Sequence, residues 1–162
     1  MFDCDITLTA VQQVKFGDTK EGTFGIRLAS ELEEPHKDAP PSPPRTGRMV
    51  NSEGQQTESN VWGKRANWVD YFGEIKGEKL GVAIFDHPSN PRHPTYWHVR
   101  SYGLFAANIF GLHDFLNDKA QDGSVRLLPG QSLHFRYRVV IHPGDWQSAG
   151  IAALYQKYAV MK

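Results

Sequence analysis

The chain has 162 residues, 40% of them hydrophobic, and its 18 Lys and Arg balance 18 Asp and Glu to a formal net charge of zero. That length suits one domain with a sizeable core, and the charge balance argues against a general polyanion binder, so no nucleic acid partner is expected. No apolar run approaches the roughly 18 residues of a membrane span, no leader pattern opens the chain, and Cys4 alone makes neither an intrachain disulfide nor a thiolate zinc site. The expectation is a soluble protein with no membrane partner, cytoplasmic, or periplasmic if a leader has been removed.

Period-two alternation, the mark of half-buried strands in an antiparallel sheet, recurs along the chain. Ile6, Leu8 and Ala10 alternate with Asp5, Thr7 and Thr9, and Phe24, Ile26 and Leu28 alternate with Thr23, Gly25, Arg27 and Ala29. Large apolar residues are sparse over residues 31–60, and Ala39-Pro40-Pro41-Ser42-Pro43-Pro44 predicts an extended, Pro-rich surface loop there, within the same domain. A short strand is predicted at 67–72, and Leu80, Val82 and Ile84 then alternate with Gly81, Ala83 and Phe85. Further strands are predicted at 96–102 and 124–128, and the clearest places Leu133, Phe135, Tyr137, Val139 and Ile141 on one face. Trp146, Ile151, Leu154, Tyr155 and Tyr158 recur at helical spacing, with Asp145 placed to cap the first turn. The pattern predicts an all-β antiparallel sandwich, one domain over residues 1–162, with a C-terminal α-helix. No P-loop, G-x-S-x-G or dinucleotide fingerprint is present, so no cofactor is expected.

Residues 86–100 read DHPSNPRHPTYWHVR, with prolines at 88, 91 and 94 and histidines at 87, 93 and 98. Proline fixes φ and removes a donor, so this loop is stiff and presents His87, Asn90, Arg92 and His93 in defined places. In the strand that follows, Tyr96, His98, Arg100 and Tyr102 share one face, and Trp97 and Val99 point to the other. Arg27 lies on the polar face of its strand, as do His134, Arg136, Arg138 and His142 on theirs. These groups line either one concave ligand wall or the ordinary solvated faces of a sheet. His87, His93 and His98 with Asp86 are metal-ligand types, but their spacing is irregular and three prolines intervene, so no metal site is assigned. Asp70 and Asp86 need hydrogen-bonding partners, for which Lys64, Arg65, Arg92 and Arg100 are candidates.

The series EGTFGIRL at 21–28, WGKRANWVDYFG at 62–73, DHPSNPRHPTYWHVRSYGLFAAN at 86–108 and YRVVIHPGD at 137–145 resembles the bacterial family labelled "methane oxygenase PmoA". Members of that family are longer, and this chain is similar to their C-terminal half. The label implies a membrane-bound metal enzyme, which a chain without a spanning segment or an evident copper or di-iron ligand set does not support. The β-sandwich character of the family implies instead a fold similar to the large antiparallel sandwiches of sugar mutarotases, and with it carbohydrate handling, an analogy at fold level.

On that resemblance Glu21, Arg27, His87, His98, Arg100 and His142 fall within family motifs. Mutarotases pair a histidine with a carboxylate, which makes His87 or His98 the candidate acid and Glu21 the candidate base. Arg27, Asn90, Arg92, Arg100, Asn108 and His142 are candidates to hold sugar hydroxyls or a carboxylate. Trp97, with Trp62 and Trp68, is of the kind that stacks on a sugar face or fills a core. The expected partner is a small carbohydrate, acted on or simply bound by a non-catalytic module. A half-sandwich with exposed sheet edges also predicts a homodimer.

Overall fold

Residues 132–143 form the longest strand of the computed structural model, which describes residues 1–161. In chain order the elements begin with β1 (Phe2–Thr9), β2 (Val14–Phe16), β3 (Phe24–Arg27), β4 (Arg48–Asn51) and the single-turn helix α1 (Glu58–Val61). They continue with β5 (Trp68–Ile75), β6 (Glu78–Asp86), β7 (Tyr96–Val99), β8 (Leu104–Asn108) and α2 (Leu112–Phe115). The last three are β9 (Val125–Leu127), β10 (Ser132–Pro143) and α3 (Ile151–Ala159). All pairings are antiparallel, in a five-stranded sheet β1-β10-β6-β5-β4, a three-stranded sheet β3-β8-β7 and the ribbon β2-β9. The β5–β6 hairpin turns on Lys76 and Gly77, whose φ of 52° and 86° suit the mirror-image turn that matches strand twist.

The large sheet is covered on both faces. Toward the two smaller sheets it presents Tyr71, Ile84, Phe135, Tyr137 and Val139, which meet Trp97, Phe105 and Ala107. Tyr71 lies 4.9 Å from Phe105 and Phe24 stacks on Tyr137 at 4.5 Å, ring centre to ring centre. The opposite face presents Val50, Trp68, Ala83, Phe85 and Val140 to Ile151, Tyr155 and Tyr158 of α3. An antiparallel β-sandwich with a C-terminal helix is therefore the architecture. No helix among the described residues is long and apolar enough to cross a membrane.

Several elements differ from expectation. Residues 31–60 are not loop throughout: β4 completes the large sheet, with Met49 and Val50 buried on opposite faces. The strand expected over 96–102 ends at Val99, where a turn closed by Gly103 N–H donating to the Arg100 carbonyl leads into β8. α3 begins at Ile151 rather than near Trp146. Asp145 accepts from Ser148 N–H at 2.8 Å and so closes a separate turn, and Trp146 instead lies 6.0 Å from Trp68.

One polar contact is built into the helix-side face. His142 on β10 lies opposite Gly81 on β6, which lies opposite Phe72 on β5. A Cβ at position 81 would stand 2.2 Å from the imidazole, so glycine lets the ring lie across the sheet. There His142 Nε2–H donates to Asp70 Oδ2 at 2.6 Å and Nδ1 meets the Pro143 carbonyl at 3.1 Å. Burial alone would push the His142 pKa down, but the Asp70 hydrogen bond and charge outweigh it and raise it, whereas burial raises Asp70. Removing one partner strands the other inside the protein, so His142→Ala should cost about 3–5 kcal/mol in urea unfolding. A loss within experimental error would show that the pair is not structural.

Candidate functional site

The outer face of the β3-β8-β7 sheet gathers the largest number of the candidate residues. Because Phe24, Ile26, Trp97, Phe105 and Ala107 point into the core, pleating turns Gly25, Arg27, Tyr96, His98, Leu104, Ala106 and Asn108 outward. Register places Gly25, Ala106 and His98 in one row across the three strands. The two smallest side chains therefore form a floor beside an imidazole. In the next row Arg27 pairs with Leu104, and Arg100 N–H donates to the Leu104 carbonyl at 2.8 Å.

An aromatic wall encloses His98. Gly63 N–H donates to the Trp97 carbonyl and Trp97 N–H to that of Lys64, which holds Trp62 against β7. Trp62 and Phe115 stand 6.2 and 6.3 Å from the imidazole, ring centre to ring centre, and Tyr96 stacks on Phe115. His98 is only 2% exposed for that reason. The Trp62 indole can only donate, and it does so to His98 Nδ1 at 3.1 Å, so the neutral ring carries its proton on Nε2. Burial holds the His98 pKa below the ordinary imidazole value; among the charges acting on the ring, Glu21 comes first, opposing that shift, followed by Arg100 and Lys20.

Arginines form the other rim. Tyr102, 38% exposed at the tip of the β7–β8 turn, has the guanidinium carbons of Arg27 and Arg100 each 5.4 Å from its ring centre. Arg27 Nη1 donates to the Tyr102 carbonyl at 3.1 Å, and Arg100 pairs with Glu58 at 2.7 Å. Glu21 sits on the loop before β3, whose position is fixed by Asn108 Nδ2 donating to the Thr19 carbonyl and Lys20 N–H donating to Asp114.

The remaining candidates lie elsewhere. Asn108 is fully buried, also accepts from Phe110 N–H at 2.7 Å, and thus anchors the loop from beneath. Trp97 is core, its Nε1–H donating to the Ala66 carbonyl. Asn90 spans Asp86 and both backbone groups of Arg136. Arg92 donates to the carbonyls of Ile109, Gly123 and Ser124. His87 lies on the helix side of the large sheet, against Tyr158, with Ser89 at Nδ1 and the Met161 carbonyl at Nε2. Burial and then Arg136 push its pKa down. His142 is on that same far face. Asp86 takes Asn90 Nδ2–H, His93 and Thr95 N–H rather than the arginines expected. His87, His93 and His98 do not converge.

Contributors not among the residues singled out for the site include Gly25, Ala106, Tyr96, Tyr102, Glu58, Lys20 and Phe115. Strand parity had placed Tyr102 on the His98 face, which was a usable signal. Glu58, Lys20 and Phe115 arrive from segments distant in sequence, and no local pattern marks them.

A small antiparallel β-sandwich with a polar, aromatic-walled patch on its outer sheet is the class that fold and site define. The chain belongs to the DUF6807 family, a family of unknown function, whose model matches residues 1–156. No curated protein and no solved structure matches it.

Since His98 is buried neutral, protonating it opposes folding. Its contribution is fully present above the unfolded imidazole value of about 6.5 and is lost as pH falls through the lower folded value. The stability gap between the wild type and His98→Gln, read by urea unfolding at pH 7, 6 and 5, should narrow toward pH 5. A constant or widening gap would contradict a buried neutral imidazole.

Proposed function

We propose that the outer face of the β3-β8-β7 sheet is a binding face for a small carbohydrate, a sugar or sugar acid. The observation that carries this reading is the exposed Tyr102 ring with the guanidinium carbons of Arg27 and Arg100 each 5.4 Å from its centre, beside a floor of Gly25 and Ala106 that ends at His98. An exposed phenol ring offers a flat apolar surface for the C–H face of a pyranose. Arginines supply planar donors for a carboxylate or vicinal hydroxyls. His98 Nε2–H adds a neutral donor with no hydrogen-bond acceptor among the described residues.

A binding module fits this geometry better than an acid–base enzyme. His87 lies on the far side of the large sheet, so it cannot share chemistry with Glu21 and His98. The lowered pKa of His98 makes it a poor reservoir of the proton a general acid must give up near neutral pH, and Trp62 occupies the lone pair a general base would use. Hydrogen-bond donation is what remains for His98 to do.

Titrating neutral monosaccharides, uronates and aldonates into isotope-labelled protein should shift the amide signals of Gly25, His98 and Tyr102. Tyr102→Ala should weaken binding at least about tenfold, or about 1.4 kcal/mol, and Arg27→Ala should weaken acidic sugars more than neutral ones. Absence of any shift at millimolar sugar, or shifts confined to another face, would overturn the reading.

A further inference from the structure

The large sheet ends at β1, and the outward edge of that strand is where the sandwich is least complete. No other strand pairs with that edge among the described residues, so the strand's outward N–H and C=O groups face solvent along eight residues that include neither proline nor lysine. Its core-side residues are only partly covered: Cys4 and Ile6 are half-buried, and Phe2 and Leu8 are 52% and 38% exposed. From the strand's last residues onward runs a mainly apolar groove of about 460 Å³, lined by Leu8, Ala10, Val11, Val14, Phe16 and Leu127, with Thr7, Thr9 and Gln12 also on its walls.

We propose that a second copy of this chain occupies this edge, β1 pairing antiparallel with β1 about a two-fold axis to give a continuous ten-stranded sheet. One register pairs the apolar side chains with one another. With Ile6 opposite the partner's Ile6, Cys4 meets the partner's Leu8 and Phe2 meets the partner's Ala10, so each exposed phenylalanine enters the other copy's apolar groove. On the outer face Asp3 then meets the partner's Thr9 and Asp5 the partner's Thr7. Those carboxylates are already matched within their own chain, Asp3 by Arg138 at 2.5 Å and Asp5 by His134 at 2.6 Å, so little charge opposes association.

Side-chain parity restricts the alternatives. A one-residue slip puts apolar side chains on the solvent face. With Ile6 at the two-fold axis the strand is self-complementary, as a closed interface requires.

The test uses the intact chain and its native Cys4. Sedimentation at up to about 100 µM should give twice the chain mass, since association follows mass action. Phe2→Glu should raise the dissociation constant at least about tenfold with tryptophan fluorescence unchanged. In Leu8→Cys, mild oxidation should join Cys4 to the partner's position 8 and yield a covalent dimer. Within one chain those positions lie about 13 Å apart along a strand, too far to bridge. A monomer throughout the concentration range would overturn the proposal. So would a dimer that neither responds to Phe2→Glu nor crosslinks through Leu8→Cys, since its contact would lie elsewhere. If Phe2→Glu fails to fold, the crosslink alone decides.

Discussion

Where the large sheet is buried on both faces, around Asp70, Asp86 and His142, its polar side chains have no route to water, and this constraint shapes much of the molecule. β5, β6 and β10 each send alternate residues into two different cores, one beneath the small sheets and one beneath α3. A carboxylate or imidazole on these strands must find its partner inside the protein, because an unpaired buried charge costs several kcal/mol. Asp70 meets His142 across Gly81 for that reason. Asp86, wholly buried, gathers Asn90, His93 and Thr95 and so folds the proline-rich segment back on itself. The small sheet has only one face committed to a core, and that freedom is why an accessible polar patch forms there.

The proline- and histidine-rich segment shows how a sequence can be unusual for architectural reasons. Its prolines stiffen the crossover between the two sheets, but its polar residues mostly hold backbone: Arg92 satisfies three carbonyls, and Asn90 extends the pairing of β10. Only its final strand contributes to the outer patch. The imidazoles at 87 and 98 look equivalent in the sequence, yet the intervening crossover carries the chain from one sheet to the other. One ring ends beneath α3 and the other behind Trp62.

The long alternating strands were legible because one periodicity served one or two clear faces, as in Leu133 to Val139. β8 was not, since Leu-Phe-Ala-Ala-Asn is nearly all buried and shows no polar phase. β4 was hidden by the polar, proline-rich stretch around it, and only its pairing with β5 reveals that Met49 and Val50 serve two cores. For the patch, parity identified His98 and Tyr102 as one face and Arg27 as outward. It could not say that three strands align Gly25, Ala106 and His98, because register between β3, β8 and β7 is a tertiary property. Nor could it assign the tautomer of His98, which depends on an indole 36 positions away in the chain.

The pairing of β1 with β10 sets Phe2 against Val139 and Thr9 against Ser132. Among the described residues β1 therefore pairs only with a strand more than a hundred positions further along the sequence. β4, β5 and β6 can assemble locally as a meander, whereas β1 finds its sheet neighbour only when β10 is present. Contacts of such long sequence separation carry a large loop-closure cost, and they make folding slow relative to local hairpins. Docking of β1 on β10 is consequently the longest-range closure in the large sheet.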